Sequence, residues 1–431
     1  ARSEAALRSF EDKFIEGATA RGASREVAER VYSQIVGFSG FGFPKAHSAA
    51  FGLLAYQSTW LRVHYTPEFL CALMNEQPMG FYAPDTLVHE AQRKGIELLP
   101  PDVNASGLGC TVERVGERPQ VRLGLGYVLG VRTEEAEALV AAREAGGPFA
   151  SLGELASRAG AGRASLETLA WAGACDDLAD IGGDETARRS ARRAALWQLG
   201  IAAPGERTTA GTQLSLPLDV PAPPPLRVLD PWESMVADYA TTGLTLGPHP
   251  LALARPQLPE GTASIADLER LPHESKVRVG GLVVARQRPG TAKGIVFLLL
   301  EDEFGTVNII VPPDLYERNR LTARTEPLVM IEGRLERLPI AGGAINVFAK
   351  ALRPLLAPGE DARVVELAER RTAARAAAIA AAAGPERALA GSAAAAAGGG
   401  AGRGAGDGGA DMADFRGVAP AVQSFASGRR R

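Results

Sequence analysis

Residues 38–65, FSGFGFPKAHSAAFGLLAYQSTWLRVHY, place Lys45 and His47 at the mouth of a long apolar helix, behind a Gly/Phe loop. A helix start offers unpaired N–H groups and the positive end of the dipole, so it favours anions. A cation and an imidazole delivered there can be held against a phosphate or a base. The same residues also fit a buried helix with two incidental polar groups, and the spacing alone leaves both readings open. A second candidate is Leu129-Gly130-Val131, followed by helical spacing from Thr133. A hydrophobic-Gly-hydrophobic turn of this form opens a helix-hairpin-helix unit, whose backbone N–H groups grip a DNA phosphate without reading sequence. A plain helical turn needing glycine is the alternative. A weaker copy follows at residues 163–178, RASLETLAWAGACDDL.

Carboxylates are less promising. Chemistry on phosphates with two divalent metals needs carboxylates that hold the ions roughly 3.5–4 Å apart. Glu301, Asp302 and Glu303 read as the surface of a hairpin before Gly305, and Asp176 and Asp177 as a helix end. No catalytic or metal-ligating set emerges, and no bound cofactor is expected. Cys71, Cys110 and Cys175 are far apart, which argues against a disulfide or a zinc cluster and suits a reducing cytoplasm.

The elements that must position these groups change character along the chain. Helical spacing dominates residues 4–95. Leu7, Phe10, Phe14 and Ile15 form one face, closed by Gly22, and Ser24 caps a helix through Val31 and Ile35. The helix from about Ala46 to His64 is apolar nearly all round, so burial is expected. Pro67 and Pro84 suit first-turn positions of two more helices. Short extended segments and turns fill residues 96–124. A Pro/Ala/Thr-rich linker occupies residues 201–227 and a bridging helical segment residues 228–270.

Five β-type runs then follow within residues 271–356, with a helix between the third and fourth. That is the order of an OB-fold barrel. Residues 276–355 carry 12 Lys+Arg against 8 Asp+Glu, a local +4. Arg286, Arg288 and Lys293 are assigned to the first-to-second strand loop, and Arg334 and Arg337 to the fourth run. Such a groove suits single-stranded DNA. Phe297 and Phe348 are read as barrel core. Residues 371–431 are Ala-, Gly- and Arg-rich, and disorder is expected over most of them. The fold class is therefore multidomain α+β: a helical region over 1–95, a helix-hairpin-helix region over 96–200, a five-stranded barrel, and a mostly disordered tail over 357–431.

The whole chain is near neutral, 47 Lys+Arg against 50 Asp+Glu in 431 residues, so only local charge bears on nucleic acid. No apolar run approaches the roughly 18 residues a membrane span needs, and the stretch from Ala1 is not expected to act as a signal peptide. The chain opens on Ala1 inside an amphipathic helical pattern, which reads as a fragment.

The run FGFPKAHSAAF from Phe41 to Phe51, with AYQSTWL, HYTPEF and HEAQRKGIELLPPDVNAS after it, resembles the fingers of bacterial C-family DNA polymerases, the relatives of the DNA polymerase III alpha subunit. The resemblance covers most of residues 1–355. It implies that Lys45, His47 and Ser48 face the nascent base pair or the phosphates of a deoxynucleoside triphosphate. It places the Mg2+-binding aspartates in a palm domain upstream, which is absent here, so the chain alone is expected not to polymerise DNA. Gly130, Val131 and Arg132 would hold the DNA backbone, with Arg132 standing where relatives often have a second turn glycine. QLSLPL, with Gln213, Leu214, Leu216 and Leu218, resembles the short peptide that docks bacterial proteins on the sliding clamp.

Residues 77–95 and the Ala/Gly ending are similar to the error-prone, damage-inducible branch. That branch does translesion synthesis with primer-template DNA and mutasome accessory proteins. The alternatives are a replicative alpha-subunit fragment and a stand-alone DNA-binding module.

Overall fold

In the computed structural model, the described residues are 10–37, 45–79, 83–116, 118–179, 185–203, 220–338, 344–356, 415–420 and 422–425. The chain divides into two compact units, Ala1–Phe69 and Leu70–Arg431, so the break precedes the expected boundary at residue 95.

In the first unit, helices Glu11–Thr19 and Arg25–Gly37 pack together through Ile15, Ala28 and Tyr32, with the Phe14 and Tyr32 rings 5.2 Å apart. The turn between them uses Gly22 at φ +93, and the Ser24 hydroxyl accepts the Val27 amide at 3.3 Å. Phe10 and Val31, expected on the packed faces, are exposed. The Lys45–His64 helix departs further from expectation. Phe51, Leu53, Leu54, Tyr56, Trp60, Leu61 and Val63 are all exposed. Their positions surround the helix, and the described residues of its own unit do not cover them.

The second unit begins within helix Thr66–Asn75 and continues through helix Pro84–Arg93, with Pro67 and Pro84 in first turns as expected. These helices cover a small sheet of β1 Leu98–Leu99, β2 Thr111–Val115 and β3 Arg118–Arg122, in the order β1-β3-β2. Leu70, Met74, Val88, Val121 and Leu123 form their shared core. Helices Thr133–Gly146, Leu152–Arg158, Arg163–Trp171 and Glu185–Ala202 follow, around Leu139, Leu155, Leu166 and Leu199. Helix Pro231–Thr242 starts in a full capping box between Asp230 and Glu233 and stops at left-handed Gly243.

The barrel consists of β4 Lys276–Gln287, β5 Val296–Glu301, β6 Thr306–Val311, β7 Leu328–Leu338 and β8 Ala344–Pro354. Its order β5-β6-β8-β7-β4 closes through β4–β5 pairing, with β6 and β8 parallel. Between β6 and β7 lie two short helices, Pro313–Arg318 and Arg320–Thr325, where one was expected. Val296, Leu298 and Leu300 point inward, as do Ile309, Ile331 and Val347. Gly281 has to be glycine because a Cβ there would meet the Leu300 Cβ at 2.7 Å.

Near the end of the tail, expected to be mostly disordered, one short segment is folded. Although 357–414 lies outside the described residues, a helix at Phe415–Val418 and strand β9 at Gln423–Phe425 are ordered, and Phe415 is buried. An aromatic and a short β-type run give this stretch the apolar bulk that the Ala/Gly sequence before it lacks. Among the described residues no helix is long and apolar enough to cross a membrane.

Candidate nucleic-acid interface

Gly130 has φ +87, which an L-residue adopts only with strain. It stands between exposed Leu129 and half-buried Val131, and helix Thr133–Gly146 starts three residues later. Among the described residues the amides of Gly130, Arg132 and Thr133 donate no hydrogen bond. A turn with three such amides at a helix start can receive a phosphate. Arg132, at the N-cap, places its exposed guanidinium 2.7 Å from the buried Glu135 carboxylate, so the added cation is half neutralised.

The second turn lies earlier than the sequence copy at residues 163–178 suggested. Gly160, at φ +64, sits between buried Ala159 and Ala161, again three residues before a helix, Arg163–Trp171. Here the Gly162 amide is taken: it donates to Glu135 at 3.1 Å, beside the Ser165 hydroxyl at 2.5 Å. The bond from Arg132, against the cost of burial and with help from Ser165 and Gly162, holds Glu135 down at about 2. Gly173, at φ +81 between Ala172 and Ala174, repeats the pattern before the one-turn 3-10 segment Asp176–Ala179. Small residue, glycine, small residue was the signal for the last two turns. The turn at Gly173 lies inside the expected copy at residues 163–178, whereas the one at Gly160 was overlooked because alanine is weakly apolar.

On the barrel the five candidate cations separate. Arg286 belongs to β4 rather than to the loop, and donates to the Ala323 and Glu326 carbonyls at 2.9 and 2.6 Å. Burial lowers its pKa to about 10. Arg337 likewise bonds the Leu268, Glu269 and Leu271 carbonyls. Both guanidiniums close the carbonyl ends of short helices, so neither is free for DNA as expected. Arg334 bridges Glu274 and Glu336 at 2.8 and 3.3 Å. Arg288 and Lys293 do lie in the β4–β5 loop and are exposed, Arg288 with its guanidinium 4.9 Å above the Tyr316 ring.

Phe297 and Phe348 are not in the core. Strand register sets Phe297 beside Ile310, and Ile310 beside Phe348, all half-buried on the outward face of β5, β6 and β8. In the next outward row Asn308 donates to Asn346 at 2.9 Å. This is a continuous apolar platform with amide edges and a basic loop at one end, the arrangement on which bases stack.

The Glu301–Asp302 pair is also a correction, since both are fully buried rather than on a hairpin surface. Glu301 accepts Arg93 at 2.9 Å and lies 3.3 Å from His89 Nδ1, tying helix Pro84–Arg93 to the barrel. Asp302 accepts the Ile265, Phe304 and Gly305 amides and Arg255. Burial works against charge on His89, but Asp85 and Glu301 together outweigh it and raise its pKa. Burial, reinforced by Glu301, raises Asp85 to about 6.

His89, His249 and Glu301 are grouped closely enough to suggest a metal centre. The Leu251 amide, however, donates to His249 Nδ1 at 3.0 Å, which leaves the proton on Nε2 and that nitrogen without a lone pair for a metal. The cluster is instead a buried polar network that ties helix Pro84–Arg93 to the barrel.

In the first unit the Lys45–His64 helix begins at Lys45, with no acidic residue in its first turn. His47 is exposed, its ring 4.4 Å from Phe51, and Ser48 is half-buried. The Lys45 side chain, residues 38–44 and the Gln213–Leu218 peptide lie outside the described residues.

Comparison with known proteins agrees with this arrangement. A family model described as a helix-hairpin-helix motif matches residues 95–185, and an OB-fold nucleic acid binding domain model matches residues 277–355. The error-prone DNA polymerase of Anaeromyxobacter dehalogenans (strain 2CP-C) is 42% identical over 373 residues, covering 84% of this chain and 31% of that protein. Those of Azoarcus sp. (strain BH72) and Pseudomonas aeruginosa are each 41% identical, over 81% and 83% of this chain and 32% and 33% of theirs. The chain spans about a third of the length of the curated relatives it matches. With a helix-hairpin-helix motif and an OB-fold in place and this identity running through both, the chain is similar over most of its length to the error-prone DNA polymerases.

Proposed function

We propose that this chain is the DNA-holding portion of an error-prone polymerase. Its glycine hairpins grip the duplex backbone of primer-template DNA, and its barrel carries the single-stranded template. The observation that carries the reading is the Phe297–Ile310–Phe348 row beside the Arg288 and Lys293 loop. In the whole enzyme, Lys45, His47 and Ser48 would neutralise and orient the incoming deoxynucleoside triphosphate, a positioning role rather than bond-making.

The described carboxylate clusters do not fit the Mg2+ ions of nucleotidyl transfer. Asp85 and Glu301 are occupied by His89, Tyr239 and Arg93, Asp302 and Glu303 by Arg255, and Asp176 and Asp238 by Arg192. Hard divalent ions need carboxylate oxygens not already bonded to arginine. As part of the same proposal, the metal-bearing carboxylates of DNA synthesis, and with them translesion activity, would belong to the remainder of a relative-length protein. The clamp peptide at Gln213–Leu218 and contacts with accessory proteins are further parts of the same proposal.

The test is a salt series of single-stranded oligonucleotide binding to the chain. Affinity should fall steeply as salt rises. Binding that is absent, or indifferent to salt, would overturn the reading. In a relative-length enzyme, Lys45→Ala and His47→Ala should each slow single-nucleotide incorporation without lowering the melting temperature. For the clamp peptide, Gln213→Ala and Leu216→Ala should abolish capture on immobilised clamp.

A further inference from the structure

The last described segment of the chain is seated on the barrel by three separate kinds of contact. Phe415 is buried against Trp232 and Tyr239, ring centroids 5.6 and 5.3 Å away, above Leu282 and Leu328. Arg416 Nε reaches Glu326 at 2.8 Å, and that carboxylate is itself buried. Strand β9 adds in parallel to β4, pairing Gln423 with Ala285, Ser424 with Arg286 and Phe425 with Gln287.

The β4 edge is open to such an addition for a reason in the barrel itself. Strand β7 pairs with β4 only from Lys276 to Leu282. Leu328, the partner of Leu282, is the first residue of β7, so the stretch of β4 from Ala285 to Gln287 has no β7 residue opposite it. An unpaired edge of this kind accepts another strand.

We propose that Trp232, Tyr239, Glu326 and the 285–287 edge of β4 form a peptide-docking groove, whose occupant is this chain's own 415–425 segment, held reversibly in cis. An aromatic anchor, one charge-assisted hydrogen bond and a short strand addition together make a recognised mode of peptide binding. A covalently attached segment meets its groove at high effective concentration, so modest intrinsic affinity is enough to keep it seated. The groove joins helix Pro231–Thr242 to the barrel, and its strand ends at Gln287, the residue paired on its other side with Phe297. Seating and release of the segment therefore alter one end of the outward aromatic row.

The experiment uses the full chain and a fluorescent synthetic peptide of residues 411–426. The peptide should bind the Phe415→Ala chain at least tenfold more tightly than the unaltered chain, whose own tail competes. The same peptide carrying Phe415→Ala should not bind. Equal affinity for the two chains, or no saturable binding to a Phe415→Ala chain with an unchanged circular dichroism spectrum, would overturn the proposal. An independent measurement avoids the substitution: a specific protease site is inserted at Gly398–Gly400 and cut in the native chain. The released segment should co-elute with the body at micromolar concentration and be displaced by excess peptide. Complete separation on cutting would overturn the proposal. A dimer that dissociates on cutting would place the occupant on a second copy and overturn the cis assignment.

Discussion

Glu135, in the first turn of helix Thr133–Gly146, accepts the Gly162 amide and the Ser165 hydroxyl at the start of helix Arg163–Trp171. One hairpin helix thus caps the next from a distance, because Gly162 has no side chain to do it. Glu135→Gln removes the charge and leaves the donors poorly matched in a buried place. Urea denaturation should show a loss of about 1–3 kcal/mol.

The same carboxylate sets an acid limit. Its pKa is about 2 in the folded chain against 4.5 ordinarily, so its contribution is fully present above pH 4.5. It is lost as pH falls through about 2. Stability measured between those values should decline in the wild type and less steeply in Glu135→Gln.

Gly130→Ala places a Cβ in a left-handed turn at a cost of about 1–2 kcal/mol. Nothing crowds the position, so backbone conformation alone makes the difference. The turn amides shift, and duplex DNA affinity should drop. Anisotropy titrations on unrelated sequences should show the same drop on each, since phosphates carry no base information.

Phe297→Ala and Phe348→Ala should each weaken single-stranded DNA binding by about 1–3 kcal/mol, measured by fluorescence titration, with little change in melting temperature. Arg288→Ala and Lys293→Ala should each reduce the salt slope by about 0.7. Arg286→Ala and Arg337→Ala should instead lower the melting temperature, because they leave helix-end carbonyls unsatisfied.

His89→Ala leaves Glu301 and Asp85 buried with fewer partners. A loss of about 3–5 kcal/mol is expected, with earlier proteolysis between helix Pro84–Arg93 and the barrel. The groups facing His89 are Asp85, Glu301, Arg93 and neutral His249, with Arg255 beyond. Its pKa lies above the ordinary 6.5, so its contribution is complete below pH 6.5 and lost as pH rises beyond its folded value. Melting temperatures of the wild type should fall on that side, and those of His89→Gln should not.

Local patterns in the sequence carried much of this molecule. The Leu129-Gly130-Val131 turn, the Ser24 cap, the two first-turn prolines and the five strands are all encoded within a few neighbouring residues. Long-range partners were not legible. Glu301 looked like hairpin surface because Arg93 and His89 lie over two hundred residues away in sequence. Arg286 and Arg337 looked like groove cations because helix-end carbonyls leave no mark in the sequence. Phe297 sits in Val-Phe-Leu-Leu-Leu, where apolar residues occupy both faces, so alternation could not say which side it took. Phe415 was hidden by the alanine and glycine before it.

The uncovered Lys45–His64 helix has a practical consequence. Prepared without a cover, the chain presents several large apolar side chains on one rod, the kind of surface that chaperones, hydrophobic resins and polarity-sensitive dyes recognise. Strong retention on a phenyl column and bright dye fluorescence are the expected outcomes. Charged replacements at Leu53, Tyr56 and Val63 should abolish both while the barrel stays folded.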